Sequence, residues 1–134
     1  MTHNQIFAAV SSVIYFAAGL IGFAVTGFGD FAGSHDAKIL ILALNPLHNV
    51  VHLVLGAVWL AAAVLPPVTR TVNIVLGAGL LAAFALGVTG AAGFLNIHGV
   101  SEPDNYLHLG YGVLSIAIGW RFADTPQPLR GQPA

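Results

Sequence analysis

From Gln5 to Gly27 the chain carries no charged side chain. A helix needs about 20 consecutive apolar residues to cross the hydrocarbon core of a bilayer. Lipid leaves no water to satisfy backbone N–H and C=O groups, so such a segment folds as a helix or as part of a closed barrel. Three further segments have the same character, at about 46–65, 71–93 and 102–123. The whole chain is 134 residues, 57% hydrophobic and only 7% charged. Soluble domains carry about 25% charged residues, so this chain lacks the means to cover a water-facing surface. The expectation is an all-α integral membrane protein, a four-helix bundle with helices at about 5–27, 46–65, 71–93 and 102–123. The first segment has no basic flank and exceeds the roughly 7–15 apolar residues of a signal peptide, so it reads as a permanent helix.

The boundaries follow from local chemistry. Asn45-Pro46 opens the second helix, with Asn as N-cap and Pro in the first turn, and Pro66-Pro67 ends it. "SEPD" opens the fourth: Ser101 is the expected N-cap, and Asp104 three positions on completes a capping-box pattern. The run Ile39–Leu44 is too short to span and reads as an interfacial or re-entrant element. The transmembrane domain is thus residues 1–123, followed by a Pro-rich tail, 124–134, expected to be a disordered cytoplasmic segment. Arg70, Arg121 and Arg130 fall on the side that holds both termini. The positive-inside rule puts that side in the cytoplasm, so a multi-pass membrane protein with both termini cytoplasmic is expected. Trp120-Arg121 reads as an interfacial anchor, and Tyr106 and Tyr111 as part of an aromatic belt at the opposite interface.

The second and fourth segments share a pattern. "NVVHLVLG" at 49–56 aligns with "NYLHLGYG" at 105–112, matching Asn49, His52, Leu53 and Gly56 to Asn105, His108, Leu109 and Gly112. "VTG" recurs at 25–27 and 88–90. The chain therefore reads as two helical hairpins in tandem, a parallel repeat about an axis along the membrane normal. Both histidine motifs then lie in the first turns of their helices, on the outer side. Helical spacing puts Asn45, Asn49, His52, Gly56 and Ala63 along one side of the second helix. It puts Ser101, Asn105, His108, Gly112, Ser115 and Gly119 along one side of the fourth, and Gly19, Gly22, Thr26 and Gly29 along the first. Such small and polar stripes face the bundle interior.

Asn45, His48, Asn49, His52 and Gly56, with His108 and Gly112, resemble the pattern of a family of small bacterial membrane proteins of actinobacterial type, catalogued as domain of unknown function four-three-eight-three. The resemblance spans roughly residues 5–123. It implies four membrane helices and carries no activity.

Several classes of function are excluded. With no cysteine there is no disulfide, thiolate metal site or Cys nucleophile. A net charge of −1 provides no basic face for nucleic acid. No Ser/His/Asp or paired-carboxylate set is visible, so the chain is not read as an enzyme. What remains is the His/Asn cluster, and the residues leave its role open. One reading is structural, with Asn and His as interhelical hydrogen bonds. A second is a transition-metal site: His48 and His52, four apart, present both rings to one side, with His108 as third ligand and His98, Asp104, Glu102 or water as fourth. Imidazole suits Zn or Cu, and Asn49 and Asn105 are the expected holders of the free ring N–H groups. A third is b-type haem between His52 and His108, with Gly56 and Gly112 leaving room for the macrocycle. A fourth is a small transporter subunit, which four helices build only as a homo-oligomer or with a membrane-complex partner. His3 and His35 lie outside this cluster.

Overall fold

The computed structural model describes residues 1–123; the tail 124–134 and Arg130 lie outside the described residues. Four helices alternate in direction: α1 (His3–Thr26), α2 (Pro46–Val64), α3 (Pro66–Val88) and α4 (Pro103–Arg121). A two-stranded hairpin, β1 (Lys38–Ile39) and β2 (Leu42–Ala43), lies between α1 and α2, and a 3-10 turn, Gly93–Leu95, lies between α3 and α4. The first three helices are each long and apolar enough to cross a membrane. The fourth is less apolar than these, with Asp104, Asn105, His108, Gly112, Ser115 and Gly119 all on its buried side. The outward surface of the helices is largely apolar: Val13, Leu20, Val54 and Val113 are all exposed.

Cap chemistry sets the helix starts. Thr2 accepts a hydrogen bond from the Gln5 N–H, and the Gln5 side chain accepts from the Thr2 N–H, a reciprocal capping box. The Asn45 Oδ1 accepts from the His48 N–H at 2.9 Å, as its sequence position predicts. Two helix starts differ from expectation, and the third helix ends at Val88 rather than Gly93. The third helix begins at Pro66 rather than Thr71, because both prolines fall in its first turn, where a missing N–H costs nothing. The fourth is preceded by Glu102, with no side-chain cap bond, and Ser101 is exposed outside it. Asp104 therefore makes no capping box. It turns inward and is buried.

Apolar burial does not drive helix association in lipid, so close packing and interhelical hydrogen bonds carry it. The principal pairings are α1 with α2 and α3 with α4. A Cβ on Gly19 would meet Leu53 at 2.7 Å, and one on Gly112 would meet the Gly77 carbonyl at 2.9 Å. Asn73, fully buried, ties the bundle together. It accepts from Trp59 Nε1 at 3.1 Å, donates to Asn4 Oδ1 at 3.1 Å, and its backbone carbonyl accepts from Ser115 Oγ at 2.7 Å. One residue thus links all four helices. At the same end Gln5 Nε2 donates to the Ala63 carbonyl and Arg70 Nε to that of Gly119, while Asn4 Nδ2 bonds Phe122. The start of α1 and the end of α4 accordingly share one end of the bundle.

The other end is covered by the two long connections. Asn45 Nδ2 donates to the carbonyls of Gly33 and Phe94, and Asn96 Nδ2 to those of His35 and Leu44. The Ile39–Leu44 run is a tight hairpin whose tip, Leu40, is 91% exposed. Beneath this cap lie the first turns of α2 and α4.

Candidate metal centre

Three buried side chains converge under the cap: His48 from α2, and Asp104 and His108 from α4. His48 Nδ1 lies 3.0 Å from the Leu95 carbonyl. A carbonyl only accepts, so Nδ1 carries the hydrogen and, in the neutral ring, Nε2 is a bare lone pair. That lone pair faces Asp104 Oδ2 at 3.5 Å, and His108 Nε2 faces the same oxygen at 3.8 Å. Asp104 Oδ2 and His108 Nδ1 are buried without a hydrogen-bond partner. One ligand atom from each residue lies within 4.8 Å of the others. In a tetrahedral site with metal–ligand bonds near 2.0–2.1 Å, donor atoms sit about 3.3 Å apart. The trio is thus wider than that spacing by no more than about 1.5 Å.

His52 lies beside this trio, its ring 4.5 Å from that of His48 and edge-on to Tyr15 at 5.4 Å. Its Nδ1 is buried without a partner. The i, i+4 geometry thus brings His48 and His52 together as expected, while Asp104 joins the group of ligand atoms in the place anticipated for His52. The sequence offers Asp104 both as a helix-start residue and as a candidate fourth ligand, and the structure makes it one of the three groups that meet. Asn49 and Asn105 do not hold ring nitrogens. Asn49 Nδ2 donates to Thr26 Oγ1 at 2.8 Å and Asn105 Nδ2 to the Gly99 carbonyl at 2.7 Å. Their Oδ1 atoms press instead on glycines of the preceding helix, Gly22 and Gly87, where a Cβ would overlap the amide. The Leu95 carbonyl orients His48 in their place. His98 is in the cap, within 3.1 Å of both Ser34 Oγ and Asn96 Oδ1, and Glu102 only precedes α4. His3 stacks on Phe122 at the opposite end, and His35 contacts the Asp30 carbonyl.

Neither Gly56 nor Gly112 opens space for a flat macrocycle. A Cβ on Gly56 would meet the Phe16 backbone at 3.1 Å, and Gly112 is packed on Gly77 and Leu81. Two smaller cavities, each of about 180 Å³, flank the histidines instead. One lies between α1 and α4, lined by Tyr15, Asp104, Tyr111 and their neighbours. The other lies between α2 and α3, lined by His48, Leu55, Leu80 and their neighbours. His52 and His108 border both. Tyr111 thus points inward rather than joining an interfacial belt, and its hydroxyl shares a 2.8 Å hydrogen bond with Ser11. Tyr106 is exposed and bonds the Val100 carbonyl, and Trp120 is 78% exposed beside the end of α4.

Apolar helices around a buried His/Asp cluster define the class: a helical protein of membrane character with its polar residues gathered inside. The chain belongs to the family described as domain of unknown function (DUF4383), whose match covers residues 5–121. No curated protein and no solved structure matches it.

Proposed function

We propose that this is a multi-pass protein of the bacterial plasma membrane that binds one transition-metal ion, Zn or Cu, through His48, Asp104 and His108. The carrying observation is the arrangement of lone pairs. His48 Nε2 and His108 Nε2 both approach Asp104 Oδ2. A proton balances one such pair; a cation balances all three groups at once. Two imidazoles and a carboxylate form a donor set suited to Zn, with a fourth position left for water, His52 or a ligand. The Leu95 carbonyl acts on His48 as an outer partner that fixes its tautomer.

In this reading all four helices cross the bilayer, both termini are cytoplasmic and the site faces outward. The tandem-hairpin repeat is supported by the two cavities. Ile14, Tyr15 and Ala18 line one where Gly79, Leu80 and Ala83, each 65 positions on, line the other. His48, Val51, His52 and Leu55 correspond in the same way to Asp104, Leu107, His108 and Tyr111, 56 positions on. Asn49 on Gly22 and Asn105 on Gly87 obey the same two shifts. The "VTG" triplets are two positions out of this register and do not carry the repeat. The proposed ion lies where the two half-sites meet, with His48 and Asp104 in equivalent positions.

Metal titration of the detergent-purified protein tests this. Wild type is expected to take up one ion, and Asp104→Asn and His108→Ala to lose it. Retention of helix content without uptake in wild type would leave His48, Asp104 and His108 as a proton-sharing interhelical link.

A further inference from the structure

The two flanking cavities are equal in size but not in chemistry. Where the one between α2 and α3 has His48, Leu55 and Leu80, the one between α1 and α4 has Asp104, Tyr111 and Tyr15. The second is therefore a largely apolar, aromatic-walled chamber with a carboxylate and two imidazoles on its inner wall. Its outer lip is formed by Ile14 and Leu107, 47% and 53% exposed on the apolar helix surface. Leu42 of the cap hairpin closes the lining on its outer side. Its volume is comparable to that of an engineered cavity of about 150 Å³ that holds benzene.

We infer that the chamber between α1 and α4 binds a small hydroxylated aromatic molecule, a phenol ring arriving from the lipid phase. Apolar pockets take their specificity from a few placed polar groups. A hydroxyl both donates and accepts, so it matches a wall offering a carboxylate acceptor and imidazoles of either role. The ring lies against Tyr15, whose edge-to-face contact with His52 already sets aromatic geometry there. The inference rests on the shape and lining of the chamber and needs no ion.

The test uses 4-fluorophenol as probe and fluorobenzene as its hydroxyl-free counterpart. Binding is read by ¹⁹F NMR on the detergent-solubilised full chain with EDTA present, so that failure of the metal reading is scored separately by metal content. Saturable binding of 4-fluorophenol is expected, with fluorobenzene weaker by about tenfold, the effect of one hydrogen bond of ~1.4 kcal/mol. Ala18→Phe fills the chamber and should abolish binding, as should Leu107→Trp at its mouth. Ala83→Phe, the equivalent change in the other cavity, should leave binding intact. The inference is overturned if fluorobenzene binds as tightly as the phenol. It is also overturned if Ala18→Phe and Leu107→Trp, both with wild-type helix content, still bind the probe, or if Ala83→Phe alone removes it.

Discussion

Replacing Asn73 by leucine is the sharpest test of how the bundle holds together. The two side chains are close in size, so packing changes little, but leucine neither accepts from Trp59 Nε1 nor donates to Asn4. Two interhelical side-chain contacts, at 3.1 Å each, are lost, together with a longer bond of 3.3 Å from Asn73 Nδ2 to the Asn4 carbonyl. The Ser115 bond uses the Asn73 backbone carbonyl and persists. Hydrogen bonds between membrane helices average about 0.6 kcal/mol and reach about 1.7. Two of them make Asn73→Leu destabilising by roughly 1–3.5 kcal/mol, the upper end applying if Trp59 Nε1 is left without any acceptor. Reversible unfolding by SDS in mixed micelles, followed by circular dichroism, measures this. Trp59→Phe removes the donor of one bond, so the double variant should fall short of the sum of the singles by about 0.6 kcal/mol or more. Asn73→Leu at wild-type stability, or strict additivity with Trp59→Phe, would refute the linking role assigned to Asn73.

Other consequences are equally direct. Gly112→Ala sets a methyl against the Gly77 carbonyl at 2.9 Å, and backbone cannot yield as a side chain can; a loss of about 1–3 kcal/mol is expected in the same SDS titration. Gly87→Ala displaces the Asn105 amide and with it the bond to the Gly99 carbonyl, so proteolysis of the 89–102 connection should accelerate, and an unchanged cleavage rate would count against that contact holding the cap. The chain has no cysteine, so single cysteines report topology without background: Lys38→Cys should react with an impermeant maleimide on intact cells and Leu65→Cys only after permeabilisation, the reverse pattern inverting the proposed orientation.

Much of the bundle is legible in the residues themselves. Asn45-Pro46 announces the start of α2 because cap and first-turn proline act locally. The buried side of α4 follows from the spacing of Asn105, His108, Gly112, Ser115 and Gly119. What local rules miss is decided by tertiary contacts. Pro66-Pro67 is both a stop and a start, and only packing tells that the next helix begins at once. Asp104 reads from the sequence as a capping carboxylate or a fourth ligand, and its place beside His48 is a contact between α2 and α4 that no local rule supplies. Asn73 is the only amide of α3, just inside its polar start at Thr69, Arg70 and Thr71, and that was the available signal, since a polar residue at membrane depth needs a partner. Its partners, Asn4 and Trp59, come from other helices and no spacing rule connects them. Within the site, His48 and His52 were recognisable as neighbours on one helix, but the contact that turns the His48 ring, the Leu95 carbonyl, comes from a distant loop.

The central claim is that His48, Asp104 and His108 share an ion. Elemental analysis of the zinc-loaded, desalted protein tests it most directly, beside Asp104→Asn as the least disruptive control. The account predicts close to one equivalent of bound metal per wild-type chain and none above background in the variant. Wild-type protein that stays folded and carries no metal, or a variant that binds as well as wild type, would contradict it.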